Sequence, residues 1–145
     1  EAEAIYNTII DSINKINASF VIDTLLYLHK GGRCSAVAML GANLLKLKPC
    51  IEVHDGKMDV AKKYRGRYND VILEYAKNCL ENLENIDNQR CFVTHTMEYN
   101  SEQTKLVCDY IKSLNYFDEV IEATAGCTIS AHCGPGTLGI IFMNK

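Results

Sequence analysis

The sequence lacks the marks of several large functional classes. No stretch approaches the roughly 18 consecutive apolar residues of a membrane-spanning helix, so stable membrane insertion is not expected. Positive charge is in short supply. Fifteen Lys and Arg stand against 18 Asp and Glu, for a net charge of −3. The basic residues form no long run and do not interleave with aromatics, so nucleic acid is not an expected partner. The seven cysteines are an odd number and none stands in C-x-x-C. The opening EAEAIYNTII is acidic and amphipathic, unlike a secretory signal. A disulfide framework is therefore not expected, and Cys34, Cys50, Cys79, Cys91 and Cys108 read as reduced core thiols of a cytoplasmic protein. Internal repeats and low-complexity segments are also missing.

What remains is ordinary globular material. With 145 residues, 48% apolar and 23% charged, the chain is long enough for one domain with its own core. Residues 4–17 carry Ile5, Ile9, Ile10, Ile13 and Ile16 at helical spacing. SFVIDTLLYL starts as a strand, and Asp23 is placed to cap a helix that Gly31 and Gly32 end. The next helix, AVAMLGANLL, is apolar almost all round, which means either a buried helix or one that covers something greasy. Pro49 ends that segment, and CIEVHDGKMDV reads as a hairpin turning at Asp55-Gly56. A helix with Val71, Ile72, Tyr75, Ala76, Cys79, Leu80 and Leu83 on one stripe follows, then a strand at RCFVTHT. Asn100 is placed to cap a further helix running to Leu114, and DEVIEAT is another strand. CTISAHCGPGTLGIIFM is expected to close the chain as strand, turn and strand. Alternating strands and helices with one local hairpin predict an α/β (α+β) fold, a mixed β-sheet with packed helices in two layers.

Three chemistries compete for SAHCGPGTLGI, residues 130–140. A metal site would need more ligands at paired spacing than His132, Cys133 and Cys127 provide. In a strand His132 and Cys133 would also point to opposite faces, which disfavours both a shared ion and a Cys-His nucleophile. A tight turn at Pro135-Gly136, with Gly134 allowing close approach, can aim main-chain N–H groups at an anion, and His132 would add one directed hydrogen bond. A plain hairpin turn beside a structural histidine remains the alternative. In KKYRGRYND, Arg65 and Arg67 stand at a helix entry, where positive charge opposes the helix dipole. They form either a solvated turn or a docking point for an acidic partner.

The segments FVIDTLLYLHKGGRCS, LLKLKPCIEVHDGKM, KYRGR and SAHCGPGTLGIIF, in this order, resemble the C-terminal portion of the bacterial DegV family. The likeness covers residues 20 to 143. It implies a fatty-acid-binding protein without an enzymatic activity of its own, which presents the carboxylate of a long-chain fatty acid to a separate fatty acid kinase. No cofactor is implied beyond that ligand. His132, Gly134 and Gly136 match the motif whose histidine meets the carboxylate. Val37, Leu40, Leu44 and Leu45 fall in the helix that covers the acyl chain. Arg65 and Arg67 fall in a segment with a docking role. The expected organisation is a lead-in helix over residues 1–19 and a lipid-binding domain over 20–145, without the family's N-terminal domain, whose hydroxyls hold the other side of the carboxylate. Such a half would bind lipid weakly alone or pair with a copy of itself. An interaction module using Arg65 and Arg67, or a Cys/His enzyme, are the alternatives.

Overall fold

The computed structural model describes residues 1–32 and 47–145. The expected acyl-chain cover, Val37, Leu40, Leu44 and Leu45, lies outside the described residues, as do Arg33 and Cys34. The elements are α1 (Ala2–Ile13), β1 (Ile16–Val21), α2 (Leu26–Lys30), β2 (Lys48–His54), β3 (Lys57–Tyr64), α3 (Tyr68–Cys79), β4 (Ile86–His95), α4 (Glu102–Ser113), β5 (Glu119–Thr124), α5 (Cys127–Cys133) and β6 (Leu138–Asn144). The strands form one six-stranded mixed sheet in the order β3-β2-β1-β6-β4-β5. Among the described residues only β4 and β5 pair in parallel, joined through α4. The expected mixed sheet with packed helices is the architecture observed.

Alternation along the strands assigns the two faces. Val21, Cys91, Val93, Leu138, Ile140 and Phe142 join the buried stripe of α3 (Val71, Ile72, Tyr75, Ala76) and Val107 and Ile111 of α4 in the main core. The opposite face carries a smaller cluster, in which Ile22, Leu25, Leu28, Ile51 and Cys133 pack with Phe20, Met58 and Val60. Tyr75 ties the main core to the sheet. Its hydroxyl donates to the Ser19 carbonyl (2.8 Å) and accepts from Ile140 N–H (2.9 Å). Ser19 and Ile140 are register partners, so a phenol oxygen bridges the seam between β1 and β6. Burial drives the Tyr75 pKa well up, which keeps the hydroxyl neutral and able to donate.

Several local expectations are corrected. The first helix stops at Ile13, and Ile16 begins β1, so residues 16–19 belong to the sheet rather than to a lead-in helix. None of the α1 residues is buried, and Ile5, Tyr6, Ile9 and Ile10 are exposed. Asp23 caps nothing. It pairs with Lys48, and the Thr24 hydroxyl accepts from Leu26 N–H instead. Ser101, not Asn100, caps α4, its side chain accepting from Thr104 N–H. Asn100 takes the left-handed conformation one residue earlier. The segment expected as a strand at 127–133 is the helix α5. The hairpin turn holds: Asp55 and Gly56 have φ of 49° and 72°, the positive pair that a type I′ turn requires.

Candidate functional site

Among the described residues, the second face of the sheet is only partly covered. A cavity of about 600 Å³ lies there, and its lining is mostly apolar. Ala18 and Phe20 of β1 and Gly139 and Ile141 of β6 contribute to its floor, and Leu28, Val53 and Met58 border it. Its wall is α5, through Thr128, Ile129 and His132, with Thr94 and Thr124 adding polar character at the same end. The volume falls in the ordinary range for a small-molecule site.

His132 reaches this wall because α2 and α5 interlock through two glycines. A Cβ on Gly31 would stand 2.4 Å from His132 Nδ1, so the imidazole lies directly on the Gly31 backbone. A Cβ on Gly134 would stand 2.2 Å from the Tyr27 ring, and Gly134 has a φ of +80° besides. Both the contact and the conformation therefore exclude a side chain at 134. The K-G-G-R and H-C-G-P-G segments, far apart in sequence, thus meet as the two halves of one contact. His132 is half-buried, and its Nδ1 is buried without a hydrogen-bond partner. A buried polar nitrogen without a partner costs about 1–3 kcal/mol, and the contact with Gly31 holds the ring in this position.

The turn after α5 does different work from that expected. The Gly134 N–H, read as a donor for an anion, is committed to the Ser130 carbonyl (2.9 Å) as the end of α5. The Gly134 carbonyl accepts from the hydroxyls of Thr96 (2.7 Å) and Thr137 (3.0 Å). The Gly136 carbonyl accepts from Tyr68. Neither glycine lines the cavity. They hold α5 and its histidine in place. Because α5 is a helix, His132 and Cys133 are about 100° apart around its axis. Cys133 turns into the smaller core, where burial raises its thiol pKa and favours the unreactive protonated form. Among the described residues, no group of three or more His, Cys, Asp or Glu side chains could hold a metal ion.

Arg65 and Arg67 lie away from this cavity. Arg67 is 87% exposed and its guanidinium meets the Asp70 carboxylate twice (2.9 and 3.3 Å). The positive charge at the α3 entry is thus answered locally by Asp70 in the first turn. The groove residues Phe20, Gly139, Ile141, Thr94, Thr124 and Thr128 were not singled out from the sequence. The signal for most of them was strand alternation: every second residue of β1, β4 and β6 faces the main core, and the residues between face the groove.

A model of the family described as "Uncharacterised protein, DegV family" matches residues 1–145. A DegV domain-containing protein of Caldanaerobacter subterraneus subsp. tengcongensis is 30% identical over 147 residues, covering 99% of this chain and 50% of that protein. The chain spans about half the length of the curated relatives it matches. Among solved structures, a DegV family protein from Thermus thermophilus, described for its fatty acid binding, superposes with a TM-score of 0.85 at 21% identity, over 100% of this chain and 51% of that one. The Streptococcus pneumoniae fatty acid kinase B3 protein loaded with linoleic acid gives a TM-score of 0.81 at 15% identity, over 100% and 50%. At these identities the superpositions establish the fold.

Proposed function

The chain belongs to the DegV family, and from that premise we propose that it is the C-terminal, ligand-covering half of a carrier that binds a long-chain fatty acid. The observation that carries this reading is the 600 Å³ apolar groove with the His132 ring on its wall. A fatty acid is an apolar tail with an acceptor at one end, and the groove offers apolar surface with a ring nitrogen at one end. The carboxylate meets His132, with Thr124 and Thr128 beside it, while Gly134 and Gly136 hold the helix end that carries the ring. Val37, Leu40, Leu44 and Leu45 cover the tail, a role that rests on the family resemblance alone.

Burying an acyl chain gains about 0.8 kcal/mol per methylene. One half of a carrier encloses only part of the tail and supplies only part of the carboxylate's donors, so this chain alone binds weakly. In the complete carrier the bound carboxylate is handed to a separate fatty acid kinase, and the exposed Arg65 and Arg67 face is the docking point. The carrier acts in the cytoplasm and does no chemistry itself. Titration with a fluorescent fatty acid tests the binding step. Weak, saturable binding that oleate displaces is expected. Absence of saturable binding contradicts the carrier reading, and tight stoichiometric binding contradicts the need for a second half. Native mass spectrometry of the purified protein, looking for co-purified fatty acid, gives an independent check.

A further inference from the structure

The groove does not end at the 600 Å³ cavity. A second cavity of about 260 Å³ opens beyond it, lined by Ile16, Arg90, Phe92, Ile141 and Met143 among others. Ile141 lines both cavities. Its neighbours in β6, Ile140 and Phe142, belong to the main core on the other face, so alternation turns the Ile141 side chain toward the groove. Its register partners are Ala18 on β1 and Phe92 on β4. Ala18 lines the larger cavity and Phe92 the smaller one. His132 lines only the larger cavity, so the smaller one lies at the end of the groove away from the carboxylate position.

We propose that Ile141 is the stop that sets how long an acyl tail the groove accepts, and that the smaller cavity is the extension it closes off. The proposal rests on the fatty-acid reading of the groove. A tail that runs from His132 along the sheet meets the branched side chain of Ile141 at the boundary between the two spaces. Tails that end before it bind by adding contact with each carbon. Tails that pass it must displace the side chain or bend away into water. The smaller cavity has an apolar surface of Ile16, Phe92 and Met143 that fits the end of a longer tail once the boundary is lowered. Phe92 stands beside Ile141 across the β4–β6 pairing, and Arg90, paired with Glu119 (2.9 Å), also lines the smaller cavity.

Each methylene newly buried changes the dissociation constant about fourfold. Binding of saturated fatty acids from decanoic to eicosanoic, measured on the 145-residue chain, tests the proposal. In the unchanged protein, affinity rises about fourfold per carbon and then levels off. Ile141→Ala moves the levelling point to longer acids by two carbons or more, a gain of about 16-fold for the acid two carbons beyond the original limit. Ile141→Phe moves it to shorter acids and leaves the shortest ones unaffected. The two opposite shifts separate a stop from general damage, and circular dichroism melts establish that each variant is folded. A levelling point unmoved in both folded variants overturns the proposal while leaving the carrier reading intact. Absence of saturable binding at every chain length in the unchanged protein overturns both.

Discussion

The two faces of the sheet differ in how they are finished. One is sealed by α3 and α4, and Tyr75, Ile72, Val107 and Ile111 are fully buried there. The other, among the described residues, bears α2 and α5 over a small cluster, and beside them apolar strand residues border a cavity. Both faces come from the same strands, residue by residue in alternation. The sealed face holds the fold together, and the unsealed one has surface left for a ligand. Substitutions on the two faces should therefore separate stability from binding.

The largest effect is expected on the sealed face. Ile72→Ala removes a fully buried side chain and should cost about 2–5 kcal/mol in urea unfolding. Its fatty-acid affinity should be unchanged wherever the variant is folded. Tyr75→Phe strips one oxygen from between Ser19 and Ile140. A loss of about 1–3 kcal/mol is expected, by the same measurement. Weakened binding in either folded variant would break the division between the faces.

On the open face the order reverses. His132→Ala should weaken fatty-acid binding about 10- to 100-fold, as expected for losing a hydrogen bond to a charged group, while shifting the melting temperature little. Gly31→Ala should have a similar effect on binding, because its new methyl group occupies the place of the His132 ring. The pair sharpens the comparison: one removes the imidazole and the other displaces it.

The pH dependence of stability tests the sealed side again. Burial raises the thiols of Cys50 and Cys91 to about 12 and that of Cys108 to about 11. Unfolded thiols ionise near 9 and these do not. The unfolded state therefore binds fewer protons above that pH, and stability should fall as pH rises from about 9. At the acid end, burial raises the Glu122 carboxyl. The Asn100 N–H, the Thr104 hydroxyl and His95 outweigh it and hold the carboxyl below its usual range. A carboxyl lowered on folding adds stability above its unfolded pKa, and that stability is lost as pH falls through the folded value. Glu122→Gln should flatten the acid limb of a stability-against-pH curve. The smallest effect is expected for Arg65→Glu and Arg67→Glu. Neither should change fatty-acid affinity, and the docking proposal expects both to lose kinase engagement in the complete carrier.

The sealed face was legible in the sequence and the open face largely was not. Val71, Ile72, Tyr75 and Ala76 repeat at helical spacing because one stripe of α3 must enter the core. Phe20, Phe92 and Ile141 look like any other apolar strand residue, since alternation separates two faces without saying which one stays open. The helix α5 was hidden by its shortness: over two turns, the β-branched Thr128 and Ile129 read as strand as readily as helix. His132 was legible through its motif, but its place depends on Gly31, about a hundred positions away in sequence. No local pattern carries that contact. Asp23 has the chemistry of a cap and was read as one. Lys48, brought beside it by the pairing of β1 with β2, takes it instead.

The most direct test is photolabelling with a fatty acid that carries a diazirine at the end of its tail, followed by peptide mapping. The helix α1 provides an internal control, since its exposed Ile5, Tyr6, Ile9 and Ile10 would capture any lipid that binds by greasiness alone. The account predicts labels on Phe20 and Ile141 that oleate competes away. Labels concentrated on α1, or spread over the chain and indifferent to oleate, would contradict it.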